Sequence, residues 1–331
     1  MKRWQFWVSM LFSLVFLYIA LSGLQLSEVW NSIRSANYVW LLPGVLVYFL
    51  ALVLRTWRWN ILLQPIKDIH FNVLLPIVSI GYMGNNIFPA RAGEILRTII
   101  LKREKKISIS ASLASIAVER IFDGMIMLAF VFINLPEFTQ LAIDYNFADQ
   151  IQIIAYWGSI IFIGLFLISI ASTIFTKTTE NIFSFLINRI IPERWRKGAT
   201  QISQRFLTGL QSLRSPKKIM SVLILSVATW LLETVFYWFI LHAFPFQVSF
   251  SSLMLMNGIL NLITTIPSAP GYLGTFDAPG IAYLKAIGVQ AEAAAGYTLV
   301  LHAALWLPVT LLGAYFFTSK GLDWSQATIR E

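Results

Sequence analysis

The sequence predicts an all-α integral membrane protein, and three observations predict it. Of its 331 residues 57% are apolar and only 12% charged. The apolar residues gather in runs long enough to cross a bilayer. The lysines and arginines fall in short stretches between those runs, as in loops that face anionic lipid. A mean hydropathy of +0.70 means more apolar surface than a soluble core of this length can hide. The expected architecture is one domain over residues 1–331 with about six full transmembrane helices, two broken re-entrant hairpins that enter from opposite faces, and cytoplasmic interfacial amphipathic helices.

Taken in order, Lys2 and Arg3 precede an apolar run from Trp4 to Gly23 that is longer and bulkier than a signal-peptide core, so a retained first helix is expected. Tyr38 to Leu54 is shorter but adequate for a span. Phe71 to Ala90 is apolar but broken by Gly81, Gly84, Asn85, Asn86 and Pro89, and with the residues to about 101 it reads as the first hairpin. Ser112 to Leu135 and Ile151 to Phe175 are full-length runs. The segment from about 177 to 218 alternates apolar and basic residues at helical spacing. Phe183, Leu186, Ile187 and Ile190, then Phe206, Leu210 and Leu213, form its apolar side, and Arg189, Arg194, Arg196, Lys197 and Arg205 its basic side. Ile219 to Phe244 is the next span. Residues 250–288 carry Asn257, Asn261, Pro267, Pro270, Gly271, Gly274 and Pro279 and read as the second hairpin. Tyr297 to Thr318 is the last span.

The positions of the basic residues orient this arrangement. With both termini cytoplasmic and the first hairpin returning to its own side, Arg55, Arg58, Lys67, Lys102, Arg103, Lys105, Lys106 and the segment 177–218 all lie inside. Leu135 to Gln150, placed outside, holds Glu137, Asp144 and Asp149 and no lysine or arginine. The expected location is a bacterial-type cytoplasmic (inner) membrane. One broken hairpin from each face is the plan of an inverted-repeat transporter core, although no clear sequence repeat accompanies it.

A formal charge of +9 raises nucleic acid as a partner, but its scatter among membrane loops argues against that. The absence of cysteine excludes disulfides, thiolate metal sites and cysteine nucleophiles. His70, His242 and His302 are scattered, and no zinc-protease, serine-hydrolase or P-loop motif is present, so no cofactor is expected.

Three constellations carry chemistry. The first is Gly84-Asn85-Asn86-Ile87-Phe88-Pro89-Ala90-Arg91-Ala92-Gly93-Glu94 with Arg97. Irregular backbone survives at membrane depth only where protein buries it or a wet cavity receives it, so Asn85, Asn86, Arg91 and Arg97 are candidate ligands for a phosphate, with Glu94 beside them. The bland reading is an interfacial loop with snorkelling arginines. The second is Glu119, Arg120 and Asp123 within an apolar span, behind the small residues Ser112 and Ser115. Each charge there costs on the order of 3 kcal/mol, so all three must face the interior, as an ion-pair lock or as a headgroup or proton site. The third is Pro267 to Asp277, where Asp277 can cap a short helix or meet a cation. Arg55 and Arg58, flanked by Trp57 and Trp59, read as interfacial anchors touching headgroups. Glu233 and Lys285 each need a partner that is not adjacent in sequence.

In order along the chain, Arg55-x-x-Arg58-Trp59, Gly84-Asn85 to Pro89-x-Arg91-x-Gly93-Glu94-x-x-Arg97, Ser115-x-x-x-Glu119-Arg120-x-x-Asp123 and Pro270-Gly271-x-x-Gly274-x-x-Asp277 resemble one known group. This is the flippase-like transmembrane domain of the lysylphosphatidylglycerol synthases, or multiple peptide resistance factors. Two-domain members add a soluble aminoacyl-transferase. This chain resembles the stand-alone members, for which the resemblance implies movement of a phospholipid, aminoacyl lipid or lipid-linked glycan between leaflets. Members often carry Glu where this chain has Asp277.

The expected function is therefore a lipid translocator rather than an enzyme, its polar path lined by Asn85, Asn86, Arg91, Glu94, Arg97, Glu119, Arg120, Asp123 and Asp277. Its partner is a membrane phospholipid or glycolipid, and a lipid synthase is a second candidate partner. Glu94, Glu119 or Asp123 are the candidate proton carriers, and one charge crossing 100 mV supplies about 2.3 kcal/mol. Two alternatives stay open: an integral-membrane enzyme acting on a lipid phosphate, and an accessory subunit of a lipid synthase.

Overall fold

The computed structural model describes Val15, Tyr18 and residues 21–141, 145–265 and 270–322. Most of the run from Trp4 to Gly23, Asp144, Pro267, Ser268, Ala269 and both chain ends with Lys2, Arg3 and Arg330 lie outside those residues. Among the described residues the regular structure is all helical.

An amphipathic helix α1 (Leu26–Arg34) leads into α2 (Leu41–Leu63). Then come α3 (Phe71–Ile87), α4 (Ala92–Lys105), α5 (Ile109–Leu141) and α6 (Tyr145–Ile174). Two amphipathic helices, α7 (Thr176–Ile190) and α8 (Glu193–Gly209), precede α9 (Pro216–Leu241), α10 (Phe250–Ile263), α11 (Asp277–Ala286) and α12 (Ala291–Ser319). Tyr38–Leu63, Asp149–Ile174, α9 and α12 are long and apolar enough to cross a membrane. Helix α5, at 33 residues about 50 Å long, is also long enough, and it carries Glu119, Arg120 and Asp123 midway. Helix α6 is apolar all round, and Ile153, Ile154, Trp157, Ile160, Ile161 and Ile168 are exposed on it. That pattern suits lipid and not water. In α7 and α8, Ile187 and Leu207 are buried while Ile182, Phe185, Ile190, Trp195 and Ile202 are exposed beside basic side chains, a face suited to a membrane surface.

Helices α3 and α4 form a hairpin closed glycine on glycine. A Cβ on Gly93 would lie 1.9 Å from the Gly81 carbonyl oxygen and 2.4 Å from the Asn85 nitrogen, so only a bare backbone allows this approach. The turn between them follows from Pro89, which holds Phe88 extended (ψ 146°) and ends α3. Ala90 and Arg91 then both take the left-handed region at φ 55°, a conformation that costs of order 1–3 kcal/mol per residue outside glycine and persists only when packing enforces it. The second hairpin, α10 and α11, turns through Pro270, Gly271 (φ 64°) and Tyr272 (φ 59°). Each tip is thus a proline followed by two left-handed residues, with glycine four places after the proline: Gly93 in one, Gly274 in the other.

Both hairpins bring their open ends together, at opposite ends of α5. The Lys67 amine donates to the Lys105 carbonyl (3.1 Å) and Lys320 pairs with Glu104 (2.8 Å), which puts the open end of the first hairpin and the end of α12 beside the start of α5. Ser249 donates to Glu137 (2.5 Å) and Tyr283 stacks on Phe138 (5.3 Å), which puts the open end of the second hairpin beside the last turns of α5. The tips therefore meet between these ends, beside the charged middle of α5.

The helix pairing maps onto itself when α2, α3, α4 and α5 are exchanged for α9, α10, α11 and α12. Helix α3 packs on α12 as α10 packs on α5, α2 on α3 as α9 on α10, α4 on α5 as α11 on α12, and α2 on α12 as α9 on α5. Even the flanking amphipathic helices obey it, α1 on α12 and α8 on α5. Helices α2 and α9 pack on each other antiparallel: Gly44 faces Ile240, Tyr48 faces Phe236, and Arg58 reaches Ser226. Equivalent helices running in opposite directions place the relating axis perpendicular to them. The repeat that the sequence hides is present in the fold.

Candidate functional site

A cavity of about 120 Å³ lies where the two tips meet, room for roughly ten waters. Its wall takes Tyr48 and Arg55 from α2, Tyr82, Asn85 and Asn86 from α3, and Arg91 from the first tip. Arg120 and Asp123 come from α5, Trp230 and Glu233 from α9, Asn261, Thr264, Thr265 and Tyr272 from the second hairpin, and His302 and Trp306 from α12.

Arg91 links the tips. Its Nη2 donates to the Thr264 carbonyl (3.1 Å) and its guanidinium lies 5.8 Å from the Tyr272 ring centre. Asn86 ties the first tip to α12: its Nδ2 donates to Thr310 Oγ1 (2.8 Å) and the Trp306 carbonyl (3.2 Å), and Trp306 Nε1 donates back to the Asn86 carbonyl (3.3 Å).

Ion pairs line the cavity and continue beneath it. Arg58 holds Asp123 with two bonds (2.5 and 3.2 Å) and lies 3.6 Å from Glu119. Arg97 holds Glu119 at 2.5 Å while stacking on Trp59 at 4.5 Å. Arg120 reaches Asp123 at 3.1 Å and Glu94 at 3.6 Å, and Arg91 lies 3.6 Å from Glu94. Trp230 Nε1 donates to Asp123 (2.8 Å). Arg55 pairs with Glu233, between the rings of Tyr82 (5.2 Å) and Trp230 (5.0 Å), and Asn261 donates to the same carboxylate (3.3 Å). These ten groups comprise Asn261, five arginines and four carboxylates, leaving one positive charge in excess. The Nε hydrogens of Arg91 and Arg120 make no hydrogen bond, and their side chains are 19% and 27% exposed. Those Nε atoms are themselves buried, that of Arg120 facing Glu94 at 3.6 Å, and it is the exposed part of each side chain that lines the cavity beside an uncompensated charge.

Of the residues singled out from sequence, Arg55, Asn85, Asn86, Arg91, Arg120 and Asp123 line this cavity. Glu94 and Arg97 line a separate void of about 10 Å³ with Asn85 and Arg120, space for about one water. Glu119, 1% exposed, belongs to the lock beneath. The anchor reading of Arg55 and Arg58 is corrected: they are 6% and 1% exposed and ion-paired inside the bundle. Neighbouring tryptophans divide accordingly, Trp57 exposed and Trp59 buried. Asp277 is fully buried behind the wall, accepting from the Gly274 amide (2.8 Å) and pairing with His302 Nδ1 (2.8 Å), so it takes the partnered role, and the helix it begins has no side-chain cap. Lys285 is exposed and needs no buried partner.

Sequence reasoning missed Tyr48, Tyr82, Trp230, Tyr272, His302 and Trp306. The available signal was polar or amphipathic side chains within otherwise apolar helices, which need a partner inside the bundle. Among the described residues, His, Asp and Glu form no group of three suited to a metal ion.

The family described as the lysylphosphatidylglycerol synthase TM region matches residues 6–313. A UPF0104 membrane protein from Methanothermobacter thermautotrophicus is 23% identical over 297 residues, 86% of this chain and 87% of that protein. A second protein so named, from Methanocaldococcus jannaschii, is 25% identical over 233 residues, 70% of this chain and 92% of that protein. The glycosyltransferase AglD of Haloferax volcanii is 22% identical over 310 residues, 87% of this chain but 50% of that protein.

Proposed function

Since this chain belongs to the lysylphosphatidylglycerol synthase TM region family, as a multi-pass integral membrane protein, we propose that it moves a lipid with a phosphate-bearing headgroup between the leaflets of the cytoplasmic membrane. The observation that carries the proposal is the cavity where the tips meet: one surplus positive charge among the ion pairs around it, with the partly exposed side chains of Arg91 and Arg120 in its wall. A surplus guanidinium at membrane depth is costly, and an anion in the cavity supplies the missing charge through charge-assisted hydrogen bonds. Asn85, Asn86 and Asn261 offer amides to the rest of the headgroup, and the acyl chains stay in lipid.

In this reading α2, α5, α6, α9 and α12 span the bilayer, and the apolar run from Trp4 to Gly23, most of it outside the described residues, is the sixth span expected from sequence. The two hairpins are re-entrant from opposite faces, which their open ends at opposite ends of α5 support. Both chain termini are cytoplasmic, where the cluster of Lys67, Lys105 and Lys320 meets anionic lipid. We read a transporter rather than an enzyme because Glu94, Glu119, Asp123 and Glu233 are each held by arginine, which leaves none of them free as a general base.

The test is leaflet exchange of fluorescent lipids in proteoliposomes, comparing anionic, zwitterionic and aminoacylated headgroups. Arg91→Ala and Arg120→Ala are expected to slow exchange of the anionic lipid about tenfold or more, the loss of a charged hydrogen bond, with little change in unfolding temperature. Exchange of no lipid by well-folded protein overturns the proposal.

A further inference from the structure

His302 sits on α12 at the wall of the cavity, buried, with both ring nitrogens engaged. Nδ1 lies 2.8 Å from Asp277 Oδ1 and Nε2 lies 2.6 Å from the Gly271 carbonyl oxygen. A carbonyl only accepts, so Nε2 carries a hydrogen. An ionised carboxylate also only accepts, so a second proton must lie between Nδ1 and Asp277, whichever of the two owns it. Gly271 is the left-handed residue at the turn of the second tip, and Asp277 also accepts from the Gly274 amide (2.8 Å). One imidazole therefore fastens the tip to α12 at two points, and one of them depends on an exchangeable proton.

The other ionisable groups around the cavity hold their protons differently. Arg55 from α2 faces Glu233 from α9, and Arg120 from α5 and Arg91 from the first tip face Asp123 and Glu94. Guanidinium does not release its proton in proteins. Tyr48, Tyr82 and Tyr272 complete the titratable wall. Helix α1 meets α12 at Gly296, through Ser32, about 9 Å along the axis from His302. Phe276 covers the imidazole ring at 4.7 Å between centres.

We propose that His302 and Asp277 form a proton-binding site that latches the second hairpin tip onto α12, so that the tip loosens when the proton leaves. The acids Glu94, Glu119 and Asp123, expected from sequence as carriers, are replaced in that role by this pair. The proton exchanges with water in the cavity. Its loss leaves the Nδ1 lone pair facing a carboxylate across 2.8 Å, a repulsive contact that separates the tip from the helix. The latch stands on this geometry alone, and its use to couple lipid movement to protons rests on the translocator reading.

The chain has no cysteine, so a single Thr265→Cys, exposed in the second tip and lining the cavity, reports the tip by maleimide labelling of the full-length protein. Gly198→Cys in α8, with nothing within 4 Å of its Cβ, corrects for the thiol's own response to pH. Between about pH 5 and about pH 9, the range over which a histidine site titrates, corrected labelling is expected to rise about tenfold or more. That factor is the loss of one charge-assisted hydrogen bond. His302→Gln and, separately, Asp277→Asn are expected to flatten the profile, and each is read only where gel filtration shows folded protein. A flat profile in the otherwise unchanged protein, or an unaltered profile in folded His302→Gln or Asp277→Asn, overturns the latch. No lipid substrate is needed for the labelling, so its outcome is separate from that of the exchange assay.

Discussion

Replacing Gly93 by alanine tests the first hairpin at its tightest point. The new methyl carbon would lie 1.9 Å from the Gly81 oxygen and 2.4 Å from the Asn85 nitrogen, where ordinary contact begins at 3.4 Å. Both obstacles are backbone, so no side chain can move aside, and α3 must part from α4 by about 1.5 Å. Overpacking of this kind costs up to ~3 kcal/mol or more, while alanine in a helix regains ~1 kcal/mol of propensity. The net loss is about 2 kcal/mol, which at ~2 °C per kcal/mol is a fall of about 4 °C in unfolding temperature. Gly164→Ala is the control, because nothing lies within 4 Å of a Cβ there. The assay is thermal unfolding of the purified protein in detergent, with leaflet exchange measured in parallel. Parting the arms also displaces Arg91, so exchange is expected to fall further than stability. Equal unfolding temperatures for Gly93→Ala and Gly164→Ala would refute the account of the hairpin.

Glu119→Gln leaves Arg97 with no full charge opposite it and weakens the hold on Arg58, so a destabilisation of about 3–5 kcal/mol is expected in chemical unfolding; a loss of transport without loss of stability would move Glu119 back into the ligand site. Arg55→Met or Glu233→Met alone is expected to cost a similar amount, and the double replacement much less, because neither charge is then buried alone; additive losses would show that the pair is not a unit. Arg91→Lys keeps the charge but loses the planar fork, and is expected to recover only part of the exchange lost in Arg91→Ala. Lys285→Ala, on an exposed side chain, is expected to shift stability by no more than about 0.5 kcal/mol.

Much of this architecture is legible in the sequence because the bilayer imposes simple demands. Pro89 with Gly93, and Pro270 with Gly274, mark segments that cannot continue a helix, and both became hairpin tips. Glu119, Arg120 and Asp123 had to face inward, and they do. What sequence could not decide was partnership. Arg58 meets Asp123 across 65 positions and Arg55 meets Glu233 across 178, with no local pattern to tie them. The same ignorance produced the anchor reading, since a basic residue between tryptophans looks alike whether it faces headgroups or a buried acid. His302 carries no motif spacing that marks it, and its two acceptors, Asp277 and the Gly271 carbonyl, come from the second hairpin. The internal repeat shows in helix pairing and in backbone turn geometry, which hydropathy and residue type do not report.

Helix α2 packs along its own counterpart α9 in the opposite direction, so the seam of this bundle is the contact that a half-length chain would make with a second, upside-down copy of itself. Joining the halves in one polypeptide fixes their ratio and their orientation, and it also frees them to diverge. Arg91 and Tyr272 stand at the same place in the two tips, two residues after the proline, and they stack on one another. A pair of identical halves would set arginine against arginine or tyrosine against tyrosine at that point. The fused chain instead has a cation on one tip and an aromatic face on the other.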